Sequence, residues 1–129
     1  MPSRERVNTF VATVRAGRYV EAIERFYAAG ATMRDNNGPP RGGRDVLIAH
    51  EKGVLSSMRG IATRAAAPVI VDGDRVVIGW VFEFKTMESE VRRLDELALQ
   101  TWRDDLIIEE RFYYDPAQMA VAPEGAAAV

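Results

Sequence analysis

Asp35 and His50 are the residues of this chain best placed by type and spacing to move a proton. Asp35 ends a short strand candidate, Ala31 to Asp35, just before the Pro/Gly-rich loop Asn36-Asn37-Gly38-Pro39-Pro40-Arg41-Gly42-Gly43. A carboxylate held at the edge of an apolar cavity takes a proton from a carbon next to a carbonyl. The same Asp could instead bond backbone in the Asn36-Asn37-Gly38 turn. His50 is the only histidine, and an unperturbed pKa of about 6.5 suits a proton shuttle. It lies three residues after Leu47 and four before Val54, so it shares their helical face. A backbone carbonyl could equally hold it there.

A second group lies in Glu90 to Asp115, where two strand-like segments flank an Asp104-Asp105 turn. Glu96, Gln100 and Trp102 share one strand parity with Ala98. A Gln between apolar neighbours needs a hydrogen-bond partner, either a ligand or a sheet neighbour. Trp102 is either core or a flat wall for a ring-shaped ligand. Glu96 faces either a pocket or an interface. Glu110, Phe112 and Tyr114 share one face of the last strand, and Glu109, Arg111 and Tyr113 the other. Tyr114 is either a core tyrosine or a donor to a developing oxyanion.

Around these residues the sequence predicts helices over Ser3–Ala16, Arg18–Ala28 and Arg44–Met58. Their stripes are Val7, Phe10, Val11, Val14, then Tyr19, Ala22, Ile23, Phe26, Tyr27, then Val46, Leu47, Val54, Leu55, Met58. Strand patterns follow over Ile61–Val71 and, after an Asp72-Gly73 turn, Arg75–Lys85. Helices first and strands afterwards is the α+β order. The expected architecture is a cone-shaped roll, with three N-terminal helices packed on a strongly bent antiparallel β-sheet that encloses a cavity. Residues 1–116 read as one domain and 117–129 as a flexible C-terminal tail.

Composition narrows the function. The chain has 129 residues, 47% hydrophobic and 28% charged, which is ordinary for a globular domain. A net charge of −2 with interspersed signs leaves no basic block for nucleic acid. With no cysteine and one histidine, thiolate and multi-His metal sites are excluded. No apolar run of about 18 residues is present to span a membrane, and the first ten residues lack a signal-peptide pattern. The expected setting is the cytoplasm, with no nucleic-acid or membrane partner.

The distinctive motifs are Phe26-Tyr27-Ala28, Ala31-Thr32-Met33-Arg34-Asp35, Pro40-Arg41-Gly42, the His50 helix, Glu96 to Asp104, and Ile108 to Asp115. In this order they resemble the nuclear transport factor 2-like superfamily and, within it, the SnoaL-like (polyketide cyclase-like) group. The resemblance covers about residues 3–116. It implies a homodimer through the outer sheet face and one cavity per subunit. It also implies a cofactor-free isomerase- or cyclase-like reaction on a small ring-containing or carbonyl compound. A non-catalytic ligand-binding or accessory protein using the same cavity is the alternative. Asp35 falls where the related steroid isomerases keep their general base, and His50 lies along the cavity wall. By that register Glu110, Phe112 and Tyr114 face inward. The two oxyanion donors of those isomerases fall at Phe10 and near Ala98, which cannot donate, so Phe10 is left as an apolar substrate contact. Asp35 and His50 are thus the catalytic candidates, and Phe10, Glu96, Gln100, Trp102, Glu110 and Tyr114 the substrate-binding ones. No clean equivalent exists of the Asp-Arg-Asp cluster of limonene-epoxide hydrolases, and Arg103-Asp104-Asp105 reads as a turn.

Overall fold

The computed structural model describes residues 1–119. Ser3 caps α1 (Arg4–Arg15), its side-chain oxygen accepting from the Arg6 N–H at 3.0 Å. Gly17 follows in the left-handed region at φ +80° and lets the chain turn straight into α2 (Tyr19–Phe26). Val7, Phe10 and Val14 of α1 and Tyr19, Ala22, Ile23 and Phe26 of α2 are buried, as their spacing predicts.

α2 stops at Phe26, and Tyr27 opens β1 (Tyr27–Asp35) without a loop. The sequence pattern carries the helix to Ala28 and begins the strand at Ala31. The reason for the difference is tertiary. Tyr27 pairs with Ile107 across the sheet, and that pairing overrides the local helix preference of Ala28 and Ala29. A two-residue β2 (Arg41–Gly42) then returns against β1, inside what reads as loop. In α3 (Arg44–Ser56) only Leu47 is fully buried, and Val46 points out. This helix forms a rim over a cavity rather than a packed layer, which is why its apolar stripe is incomplete.

Four long strands follow: β3 (Gly60–Asp72), β4 (Arg75–Lys85), β5 (Val91–Arg103) and β6 (Leu106–Tyr113). The six-stranded sheet has the order β2-β1-β6-β5-β4-β3. It is curled and unclosed. It is mixed rather than wholly antiparallel, because β1 runs parallel to β6. On the concave face Val76, Ile78 and Trp80 stand opposite Gln100, Ala98 and Glu96. Ala98 and Gln100 stand opposite Phe112 and Glu110. Tyr113, Leu97 and Gly79 are neighbours on the convex face. β3 bulges between Ala66 and Val69, and its backbone crosses so close to β4 that a Cβ at position 79 would collide with the Ala67 carbonyl oxygen. Glycine is required there for space.

The expected tail begins at 117, but residues 117–119 belong to a 3₁₀ turn (Pro116–Met119). The Gln118 amide donates to Asp95 O at 3.0 Å and accepts from Asp95 N at 2.8 Å. It continues the backbone ladder of β5 just past the end of β6. The remainder of the expected tail lies outside the described residues. No helix among the described residues is long and apolar enough to cross a membrane.

Candidate active site

The concave sheet face and the three helices surround an open cavity of about 380 Å³. Its walls are mainly aromatic and aliphatic. Phe10 of α1, Trp80 and Phe82 of β4 and Phe112 of β6 supply much of the surface. Trp80 and Phe82 lie nearly parallel, 5.5 Å apart, and Phe10 meets Trp80 edge-on at 6.3 Å. This is a flat-walled space suited to a ring.

The mouth carries the charged groups. Asp35 lines the cavity and accepts from Arg41 Nη1 at 3.0 Å, with 37% of its side chain exposed. The Asn36-Asn37-Gly38 turn is closed by the Asp35 backbone carbonyl, which accepts from Gly38 N at 2.8 Å. The carboxylate is thus left to the cavity and to Arg41. Asn36 adopts φ +52°, donates its N–H to Phe112 O, and accepts from Tyr114 N at 2.9 Å through its side chain. That ties Asp35 to the end of β6. Arg41 Nε is buried with no hydrogen-bond partner among the described residues. His50 lines the mouth from α3 and is largely exposed. Burial and then the Arg41 charge lower its pKa, against a smaller opposing pull from Asp35. Its imidazole is neutral at pH 7. Glu51 lines the same wall, its pKa raised by burial.

Deeper inside, two further carboxyls face the apolar space. Glu96 is pushed up to about 8, first by burial and then by the charges of Glu110, Asp35 and Glu51. It is a neutral acid at pH 7 and a hydrogen-bond donor. Glu110 is fully buried, and its pKa is raised to about 7. Burial drives that rise, while hydrogen bonds from Gln100 and Tyr27 oppose it. Gln100 Nε2 donates to Glu110 Oε2 at 2.6 Å, Trp102 Nε1 donates to Gln100 Oε1 at 3.0 Å, and the Tyr27 hydroxyl donates to Glu110 Oε1.

Asp35, His50, Phe10, Glu96, Glu110 and Tyr114 therefore all line one cavity. Gln100 and Trp102 do not. Both are buried behind the wall, because Gln100 is held by its sheet neighbour Glu110 and Trp102 packs edge-on to Phe10 in the core. Of the two readings open for each, the structure takes sheet neighbour for Gln100 and core for Trp102, rather than direct contact with a ligand.

The SnoaL-like domain model matches residues 7–110. The chain belongs to this family. Solved structures share the fold. A protein from Mesorhizobium loti, described as a candidate SnoaL-like polyketide cyclase, is 22% identical with a TM-score of 0.74, over 88% of this chain and 100% of that one. TerC, co-crystallized with polyporic acid, is 20% identical with a TM-score of 0.76, over 89% and 92%. A protein with a ketosteroid isomerase-like fold from Catenulispora acidiphila, in complex with trimethylamine, is 19% identical with a TM-score of 0.73, over 88% and 87%. Among curated proteins no sequence matches. Arg41, Glu51 and Tyr27 also line the cavity of this SnoaL-like chain, beyond the candidates its sequence suggests. Glu51 was readable, since it stands four residues after Leu47 and three before Val54 on the inward face. Tyr27 carried no signal, because only the pairing of β1 with β6 aims it at Glu110.

Proposed function

We propose that this SnoaL-like protein binds a small ring-containing carbonyl compound in its cavity and transfers a proton on it without a cofactor. One observation carries the reading: a single apolar cavity holds an ion-paired carboxylate, Asp35, at its mouth and a neutral carboxylic acid, Glu96, inside. A carboxylate can take a proton, and a carboxylic acid kept neutral by burial can donate a hydrogen bond, which assigns base and acid. Asp35 takes a proton from the carbon next to the carbonyl. The C–H electron pair forms the new C=C bond, and the carbonyl oxygen gains the negative charge. The Glu96 hydroxyl donates a hydrogen bond to that oxygen. Protonated Asp35 then returns its proton to the same carbon or, where the enolate is part of a dienolate, to the γ-carbon at the far end of the conjugated system. Glu96 thus supplies a donor that Phe10 and Ala98 cannot. The setting we propose is the cytoplasm, in keeping with a cysteine-free composition.

β-Tetralone, a bicyclic ketone with acidic α-protons, tests this in heavy water by nuclear magnetic resonance. The wild-type protein is expected to accelerate α-deuterium exchange, and Val54→Trp, which places an indole at the mouth, is expected to abolish it. Binding without exchange would instead favour the carrier or accessory reading, and neither binding nor exchange would sink both for this ligand class.

We also propose that the convex sheet face pairs two copies of the chain. Leu97 and Tyr113 are direct cross-strand neighbours, 48% and 40% exposed, with Ile70 exposed on the same sheet. Leu97→Glu is expected to convert a dimer to a monomer in sedimentation analysis. A monomeric wild type at micromolar concentration would refute the pairing.

A further inference from the structure

The buried chain from Trp102 to Tyr27 has a fixed direction. An indole N–H only donates, so Trp102 requires the oxygen of the Gln100 amide to face it. The Gln100 NH₂ must then point at Glu110 Oε2, and that oxygen can only accept. When Glu110 takes up a proton, the one oxygen left to carry it is Oε1, on the Tyr27 side. Protonated Oε1 donates to the Tyr27 oxygen, and the Tyr27 O–H, which otherwise points at Glu110, has to turn away. Tyr27 is one of the residues that line the cavity.

From this geometry we infer that Tyr27 is a second donor to the ligand's oxygen, released to the cavity when Glu110 is protonated, with Gln100 and Trp102 as positioning residues that choose the proton's oxygen. The inference rests on the carbonyl-binding reading of the cavity. The titratable and charged groups that line the cavity with Glu110 are Tyr19 on α2, Asp35 and Tyr27 on β1, Arg41 on β2, His50 and Glu51 on α3, Glu96 on β5 and Tyr114 just past the end of β6. Glu51 and Asp35 favour its neutral form, and the bonds from Gln100 and Tyr27 favour its charged form. Its pKa of about 7 lets the switch operate near neutral pH. The device also explains why Gln100 and Trp102 are polar-handled side chains buried where they touch no ligand.

The test begins without ligand, with heavy-carbon labels at tyrosine Cζ and glutamate Cδ. Between about pH 5 and 9 the Tyr27 and Glu110 resonances are expected to move together with one midpoint. In Glu110→Gln the side-chain NH₂ permanently faces the Tyr27 oxygen, so the Tyr27 resonance is expected to stay at its low-pH position. In Trp102→Phe the Gln100 amide is free to turn, and the proton can move to Oε2. Glu110 is then expected to titrate with a much smaller response at Tyr27. With carbonyl-labelled β-tetralone bound, the C=O stretch is expected to fall in frequency below the Glu110 midpoint, and to lose that fall in Tyr27→Phe. A Tyr27 resonance that ignores Glu110, one that still titrates in Glu110→Gln, or a ketone band unchanged by Tyr27→Phe overturns the inference and leaves the proposed function standing. Coupled resonances with no binding of β-tetralone overturn the carbonyl reading and the donor role built on it, leaving only the internal switch.

Discussion

Asp35→Asn is expected to slow α-deuterium exchange of β-tetralone by about 10²- to 10⁴-fold, the usual contribution of a positioned general base. The loss is expected in kcat, with KM little changed, because the substitution removes the proton acceptor and not the aromatic walls. The fold is expected to survive. Asp35 is partly exposed, and an Asn oxygen still accepts from Arg41. The rival base is His50. It is neutral at pH 7, and its pKa is lowered first by burial and then by Arg41. If His50 were the base, activity would fall as pH drops through a midpoint below 6.5, and His50→Gln would take the large loss. Our expectation is a modest loss for His50→Gln, since the ring is exposed at the mouth while the Asp35 carboxylate is fixed at the end of β1. A loss in His50→Gln as large as that in Asp35→Asn would reassign the base.

The two catalytic candidates were legible for different reasons. Asp35 stood out because strand, then loop, is readable from composition, and a lone carboxylate at that junction has few structural duties. His50 stood out because helical spacing put it beside Leu47 and Val54. The strand pattern over Arg75–Lys85 was equally plain, and β4 has those bounds. The inward set Glu110, Phe112 and Tyr114 also lies where the family register places it. Long-range register was not readable. Nothing local indicates that β1 pairs in parallel with β6, and only that pairing starts the strand at Tyr27 and brings its hydroxyl to Glu110. Gln100 and Trp102 illustrate the same limit. Their parity was right for the concave face, but the layer of Glu110, Phe10 and Tyr27 that separates them from the cavity is a product of packing.

Raising the pH from about 5 to 9 is expected to destabilise the protein by several kcal/mol, mostly through Glu96. In the unfolded chain Glu96 loses its proton near 4.5, and in the folded protein it keeps it up to about 8. Below 4.5 both states are protonated, and its contribution is fully present. Between 4.5 and about 8 the unfolded chain has ionised while the folded one has not, so folding must take up a proton and stability falls with each rise in pH. Above about 8 the loss is complete, because a charge then sits in the apolar cavity. At about 1.36 kcal/mol per unit, Glu96 accounts for up to about 5 kcal/mol. Glu110 adds a smaller loss between 4.5 and about 7, moderated by the donors Gln100 and Tyr27. The two are not additive, since each carboxylate raises the cost of ionising its neighbours. Glu96→Gln keeps the shape and an N–H donor without a titrating charge. It is therefore expected to match wild type at about pH 4.5 and to exceed it by about 3–5 kcal/mol at pH 8.5 in urea unfolding. A wild-type stability that stays flat across this range would mean that Glu96 is not a neutral acid in the folded cavity. It would also remove the donor on which the proposed stabilisation of the enolate oxygen depends.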